Sequence, residues 1–147
     1  MRLTVQSDYA LRLLMYVAKE ADRLCTIAEV AETHGISHAH LMKVTHRLGQ
    51  LGYLETVRGK GGGMRLARPP AQIGLGDVLR NLEPDFHLVE CLASGSSCAL
   101  TGYCRLTGIF DAALQRFLQH LDRYTLADLL PADADFPFPS IPIKAVT

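Results

Sequence analysis

Three of the four cysteines in this 147-residue chain lie within the stretch 91–104, CLASGSSCALTGYC. Six residues separate Cys91 from Cys98 and five separate Cys98 from Cys104, in a segment rich in small residues. Structural zinc sites usually pair cysteines two to four residues apart, so this spacing argues against zinc. A loop that wraps thiolates around a larger group suits an iron–sulfur cluster. Three inert cysteines are the weaker alternative, because buried thiols rarely lie in a polar Gly/Ser loop.

Three thiolates leave one ligand position of such a cluster unfilled. The candidates along the loop are Asp85, His87 and Glu90, and the alternative is a residue from elsewhere in the protein. Cys104 lies at the start of a predicted helix, where the helix dipole favours a negatively charged ligand. Cys25 lies between two non-ligating residues ahead of another predicted helix, so we expect a small packed side chain there.

The formal net charge is zero, but the charges are unevenly distributed. Residues 1–68 contain ten Lys/Arg and six Asp/Glu, a balance of +4, whereas residues 69–147 contain five and nine, a balance of −4. This asymmetry suggests that the first half faces a polyanion.

The first half also has the pattern of a helix-turn-helix. Apolar residues at helical spacing predict a helix over 7–19, with Ser7 or an earlier residue as its cap. Thr26 begins a capping box for a second helix, and Gly35 is placed to end it in a left-handed turn. Ser37 is then expected to cap a third helix, which would be the recognition helix.

A hairpin is predicted directly after this motif. Two strand-like runs, 53–58 and 64–67, flank the glycine-rich turn 59–63, which also contains a lysine. A basic hairpin in this place is typical of the wing of a winged helix-turn-helix.

We therefore expect the recognition helix and the wing to bind double-stranded DNA. Ser and His side chains can bond to base edges, basic side chains can bond to phosphates, and glycine allows close backbone approach. Metal binding by the histidines is the alternative. The predicted DNA-binding residues are Ser37, His38, His40, Lys43, His46, Arg47, Arg58, Lys60, Gly61, Gly62 and Arg65.

The second half contains a short predicted helix, the cysteine loop and a long helix over 105–124. The apolar stripe of the long helix is wide enough to favour dimerisation across a two-fold axis. The predicted fold is mainly α with a small β-hairpin, a winged helix-turn-helix plus a long dimerisation helix. Its segments are 1–68 for DNA binding, 69–104 for a linking helix and the cysteine loop, 105–130 for the dimerisation helix and a short C-terminal helix, and 131–147 for an extended or mobile tail.

Other classes of protein are disfavoured. The sequence shows no signal peptide and no apolar run long enough to cross a bilayer, so we expect a cytoplasmic protein without a membrane partner. It has no phosphate-cradling motif before a helix and no nucleophile–base pair at useful spacing. We therefore do not expect an enzyme, with a small redox enzyme or electron carrier as the alternative.

Several runs, LTVQSDYALRLLMY, VRGKGGGMRLA, LEPDFHLVEC and YTLADLL, together with the helix-turn-helix, resemble the iron–sulfur winged-helix repressors of the NsrR and IscR type. The resemblance extends over residues 1 to about 130 and is closest to the nitric-oxide-sensitive NsrR type. It implies a 4Fe–4S cluster, with 2Fe–2S as the less favoured form. The implied ligands are Cys91, Cys98, Cys104 and Asp8 of the partner subunit. Thr107 occupies the place of the histidine ligand of IscR-like relatives.

The resemblance also implies a function. It indicates a homodimeric repressor that binds operators with inverted half-sites and releases them when nitric oxide reacts with the cluster. A regulator of the same fold that senses iron–sulfur status or redox state is the alternative. From the residues alone, Asp8 has a second explanation, because Arg12 one helical turn later is placed to pair with it.

Overall fold

The computed structural model describes residues 2–100 and 102–130, and within these ranges the predicted class, mainly α with one small hairpin, is confirmed. The predicted tail over 131–147 lies outside the described residues. Short 3-10 turns occur at Pro70–Gln72, Glu90–Leu92 and Leu126–Leu129. The helices and strands are α1 (Val5–Lys19), α2 (Ile27–His34), α3 (His38–Gln50), β1 (Leu54–Val57), β2 (Gly63–Leu66), α4 (Leu75–Leu82) and α5 (Arg105–Leu121).

Helix α1 begins two residues earlier than the predicted 7–19, because Thr4 is its cap. The Ser7 backbone N–H donates to the Thr4 hydroxyl at 3.2 Å, and Ser7 itself is fully buried. Thr4 is held in turn by Glu83, whose carboxylate accepts from the Thr4 backbone N–H at 2.9 Å and from its hydroxyl at 3.1 Å. Glu83 is the residue that ends α4. The start of α1 is therefore joined to the start of the segment that leads to the cysteines.

The helix-turn-helix forms as its capping signals predict. Thr26 and Glu29 make a complete capping box at the start of α2. Gly35 adopts the left-handed conformation, with φ of 62°, and turns the chain towards α3. The Ser37 hydroxyl accepts from the His40 backbone N–H at 3.3 Å and so caps α3.

One continuous core lies beneath these helices. Its fully buried side chains come mainly from α1 and α3, and residues beyond the wing join the same cluster. Burying side chains of this size is worth about 1.5–3 kcal/mol each, which makes the cluster the main source of stability. The largest of them are Leu13, Leu14, Leu41, Leu48, Met64, Ile73 and Leu126.

The wing is fixed at its base and exposed at its tip. Strands β1 and β2 pair antiparallel, from Leu54 opposite Leu66 to Val57 opposite Gly63. The backbone of Met64 also exchanges two hydrogen bonds with Cys25, at 2.8 and 2.9 Å. A side chain at Gly63 would place its Cβ 2.6 Å from the Cys25 carbonyl oxygen, so this close approach requires glycine.

Helix α5 packs on α4 but leaves much of its apolar stripe uncovered. Arg80 of α4 binds Asp122 with two hydrogen bonds of 2.5 and 2.7 Å. Only Leu114 and Leu118 of α5 are buried, whereas Leu106 is 50% and Ile109 63% exposed. Among the described residues, no helix combines the length and apolar character needed to cross a bilayer.

Candidate DNA interface and cysteine loop

The recognition helix α3 separates core side chains from polar ones. Leu41, Val44, Thr45 and Leu48 are buried, and α3 contains no acidic residue to repel a phosphate backbone. The predicted DNA-binding residues of this segment are all exposed: Ser37, His38, His40, Lys43, His46 and Arg47.

Two of these residues also contact neighbouring helices. The His40 ring lies 6.1 Å from the Tyr9 ring of α1, and its Nδ1 is 2.9 Å from the Ser37 hydroxyl. Arg47 donates to the Asn81 carbonyl of α4 at 3.3 Å. One flank of α3 is thus supported by α1 and α4, while Lys43 and His46 lie on its outward side.

The wing residues divide into a paired strand position and a basic tip. Arg65 donates to the Glu55 carboxylate at 2.9 Å across the hairpin, and this hydrogen bond lowers the pKa of Glu55. Part of the Arg65 charge is therefore balanced within the wing. Arg58 and Lys60 lie at the exposed tip.

The fold of the wing itself requires glycine at two positions of its turn, whether or not DNA is bound. Gly61 has a φ of 76°, which side chains disfavour. A Cβ at Gly62 would collide with the Val57 carbonyl and lie 2.8 Å from that of Gly59. Tight closure of the hairpin accounts for these two glycines, and contact with DNA at Gly61 and Gly62 remains a prediction.

Arg68 is a structural support that was not among the predicted DNA-binding residues. Its guanidinium donates to the carbonyls of Leu51 and Gly52 at 3.3 and 3.0 Å and lies 4.9 Å from the centre of the Tyr53 ring. These contacts connect the far strand of the wing to the end of α3. A basic residue that follows a wing resembles a phosphate ligand in sequence, and only the fold reveals its internal partners.

The cysteine loop presents three thiols, those of Cys91, Cys98 and Cys104. Cys98 is exposed, and Cys91 and Cys104 are partly buried. The Thr107 hydroxyl lies 3.4 Å from Cys91 Sγ, and Cys104 is the N-cap of α5. Two of the three cysteines are therefore near the first turn of α5.

The local candidates for a fourth ligand are engaged in short-range contacts. Glu90 accepts from the Ser97 hydroxyl at 3.0 Å. Asp85 accepts from the His87 backbone N–H at 3.0 Å, and its carboxylate lies 3.5 Å from His87 Nδ1. These contacts shape the loop on either side of Cys91.

The donor set fits an iron–sulfur cluster in its chemistry, because three soft thiol ligands lie on one loop. The ligands are not gathered into a complete site, however. Over 2–100 and 102–130, no three His, Cys, Asp or Glu side chains are grouped so that they could hold a metal ion. The histidines of the DNA-binding half likewise form no metal-binding group in these ranges.

Asp8 lies on the exposed side of α1 and pairs with Arg12, as the spacing of the two residues suggests. The shortest distance, from Arg12 Nη2 to Asp8 Oδ2, is 2.9 Å. Both side chains are about half exposed, at 49% for Asp8 and 47% for Arg12. Ion pairs of this kind contribute about 0.3–0.5 kcal/mol, so Asp8 is held only weakly.

Cys25 and His34 are titratable groups that pack within the fold. Cys25 is fully buried, and burial raises the pKa of its thiol to about 11. This agrees with the expectation of a packed residue. His34 is half-buried with its ring 6.1 Å from that of Tyr16, and burial lowers the pKa of its imidazole.

Comparisons with known proteins agree with the winged helix-turn-helix architecture of this chain. Residues 3–132 match the family model described as Rrf2, iron-dependent transcriptional regulator. The HTH-type transcriptional regulator NsrR of Bacillus subtilis is 47% identical over 137 residues, which cover 92% of this chain and 94% of that protein. The protein of the same name from Geobacillus kaustophilus is 47% identical over 132 residues, covering 88% and 90% of the two chains.

Solved structures share the fold at lower sequence identity. T. potens IscR superposes with a TM-score of 0.71 at 23% identity, covering 88% of this chain and 85% of that one. CymR, the global cysteine regulator of B. subtilis, superposes with a TM-score of 0.71 at 22% identity, covering 88% of this chain and 95% of that one. With the recognition helix and wing already in place, the family match and the two NsrR relatives show that the chain is no enzyme but a DNA-binding transcriptional regulator, and that it belongs to the Rrf2 family.

Proposed function

We propose that this chain is a homodimeric, cytoplasmic repressor that senses nitric oxide through an iron–sulfur cluster. In this proposal it occupies operators with inverted half-sites and releases them when nitric oxide reacts with the cluster, which is of the 4Fe–4S type. The main supporting observation is that three cysteines, none of them fully buried, share one loop in a chain that also has a recognition helix without acidic residues.

Cys91, Cys98 and Cys104 would hold the cluster from one subunit, and Asp8 of the partner subunit would complete it. The bound group supplies iron atoms that can react with nitric oxide. A carboxylate binds iron less firmly than a thiolate does, so the Asp8 position would be the most readily vacated. The names of the two NsrR relatives support this choice of effector.

The ion pair with Arg12 does not prevent Asp8 from taking this role. Exchange of one exposed ion pair for a ligand bond loses only a few tenths of a kcal/mol, because water and salt already weaken the pair. Arg12 would then remain beside the carboxylate as a nearby positive charge.

Dimerisation is supported by the uncovered side of α5. Leu106 and Ile109 lie on one face of the helix, close to Cys104 at its start, and their own chain leaves them exposed. A second copy related by a two-fold axis would bury both stripes together. The same axis would present two recognition helices to two half-sites.

The decisive experiment uses anaerobically purified protein. We expect bound iron and sulfide, a visible absorption band, and loss of operator binding after stoichiometric nitric oxide is added. A colourless protein whose operator binding does not change when nitric oxide is added would refute the proposal. Parallel titrations with oxygen and with an iron chelator distinguish it from a redox or iron–sulfur-status sensor, which would respond to those treatments instead.

A pair of variants tests the fourth ligand. Asp8→Ala should fold normally but lose its visible absorption faster than wild type under a mild chelator. Arg12→Ala breaks the same ion pair while keeping the carboxylate, and should hold the cluster as well as wild type does. Equal cluster lifetimes in Asp8→Ala and wild type would show that another group fills that position.

A further inference from the structure

The recognition helix exposes one large apolar side chain. Met42 of α3 is 52% exposed, although the positions beside it on the surface are occupied by polar or small residues. An exposed apolar side chain within a polar surface is informative, because it gains free energy only when a partner covers it.

Met42 lies on the flank of α3 that α1 and α4 do not support. It follows His38 by four residues and precedes His46 by four, so the three side chains lie along one face of the helix. His38 also lines a cleft of about 360 Å³ between α3 and the wing. The face that contains Met42 is therefore next to the wing side of the helix, away from Tyr9 and Asn81.

The charges around Met42 favour nucleic acid as its partner. Lys43 is its immediate neighbour, α3 has no acidic residue, and the wing tip adds Arg58 and Lys60. An apolar protein groove would have to bury these cations without partners, whereas a DNA phosphate backbone pairs with them. The partner would then present both anions and an apolar group close to a helix.

The major groove of DNA has one apolar feature at its base edges, the C5-methyl group of thymine. We infer that Met42 is a specificity-determining residue that packs its thioether against a thymine methyl in each operator half-site. The unbranched, polarizable methionine side chain adapts well to such a contact. This inference rests on the proposed operator binding and adds a base preference that the hydrogen-bonding residues do not supply.

The test compares thymine with uracil, which lacks only the methyl group. Duplexes that bind the full-length wild-type protein are first selected from a random-sequence library. Each thymine of the best duplex is then replaced by deoxyuridine in turn, and the dissociation constants are measured. Burial of one methyl group predicts about a fourfold loss of affinity at one thymine of each half-site.

Three variants assign the effect to Met42. Met42→Ala should bind the thymine and uracil duplexes equally, whereas Met42→Leu should retain the preference because it keeps an apolar side chain of similar size. His46→Ala should bind more weakly overall yet still prefer thymine. An unchanged uracil penalty in Met42→Ala, or no uracil penalty in wild type, would overturn the inference alone. Failure of wild type to enrich any duplex would instead refute operator binding itself.

Discussion

Lys60 offers the simplest test of a single charge at the DNA interface. It is exposed at the wing tip. If it neutralises one phosphate, Lys60→Ala should weaken binding to all duplexes and reduce the slope of log K against log salt by about 0.9. Lys60→Arg keeps the charge and should restore the slope. An unaltered slope in Lys60→Ala would place this residue away from the phosphates.

The buried thiol of Cys25 predicts that the free energy of unfolding falls at alkaline pH. Its thiol has a pKa of about 11 in the folded chain, raised above the ordinary value of 9.0 by burial. Above pH 9 the unfolded chain loses this proton while the folded chain keeps it, so the free energy of unfolding falls as pH rises towards 11. Below pH 9 the thiol is protonated in both states, so this loss of stability is absent there.

The measurement is urea unfolding between pH 8 and about 11 for wild type and Cys25→Ala. The variant lacks the titrating thiol, so the difference between the two proteins should shrink across that range. A constant difference would mean that the folded state does not hold this thiol in its neutral form.

Residue identity predicted the polar character of the interface better than it predicted the partners of each side chain. The charged and histidine residues of α3 are exposed as expected, since helical spacing separates them from Leu41 and Leu48. The pair between Arg65 and Glu55 depends on strand register, and the contacts of Arg68 depend on where the wing meets α3. Both are tertiary facts that the local sequence does not encode.

At the scale of elements, Thr4 joins two parts of the chain. It caps α1 and also donates two hydrogen bonds to Glu83. Thr4→Ala should lower the free energy of unfolding by about 1 kcal/mol through loss of the cap. Thr4→Ser keeps the hydroxyl and should stay near wild type in denaturant unfolding. Equal stability of Thr4→Ala and wild type would show that the cap contributes nothing.

Caps and turns were the most predictable elements because their signals are local. The box at Thr26, the left-handed Gly35 and the Ser37 cap all involve residues within a few positions of one another. The start of α1 was misplaced by two residues because both Thr4 and Ser7 are good caps, and Glu83, 79 residues from Thr4 in the chain, binds the earlier one. Long-range partners of this kind decide between local signals of equal strength.

For the whole molecule, the exposed stripe of α5 predicts the oligomeric state. Ile109→Glu places a charge in the expected dimer interface and should give a monomer in sedimentation analysis. Operator affinity should fall on the order of a hundredfold, because one half-site would then be bound without the other. Gln115→Glu adds the same charge at an exposed position elsewhere on α5 and should remain dimeric. A dimeric Ile109→Glu would exclude this face.

For the proposed cluster site, the sequence indicates candidate ligands but not how they would be brought together. Three thiols on a small-residue loop indicate soft-metal chemistry from composition and spacing alone. In the proposed function their convergence would depend on a bound group and on a second chain, so the folding preferences of one chain would not determine it. The same reason explains why Asp8 is found beside Arg12 and why only the family resemblance suggested it as a ligand.

Helix α1 places Asp8 and Tyr9 at consecutive positions, and the Tyr9 ring lies against His40 of the recognition helix. In the proposed function, the ligand Asp8 would therefore be next in the chain to the residue that supports a DNA-facing side chain of α3. If Asp8 and His40 have the proposed roles, substitutions near Asp8 that increase sensitivity to the effector should also change which promoters are bound. Strains evolved for faster release of DNA by this repressor should then also differ in the set of genes that they silence, because Asp8 and Tyr9 are adjacent in α1.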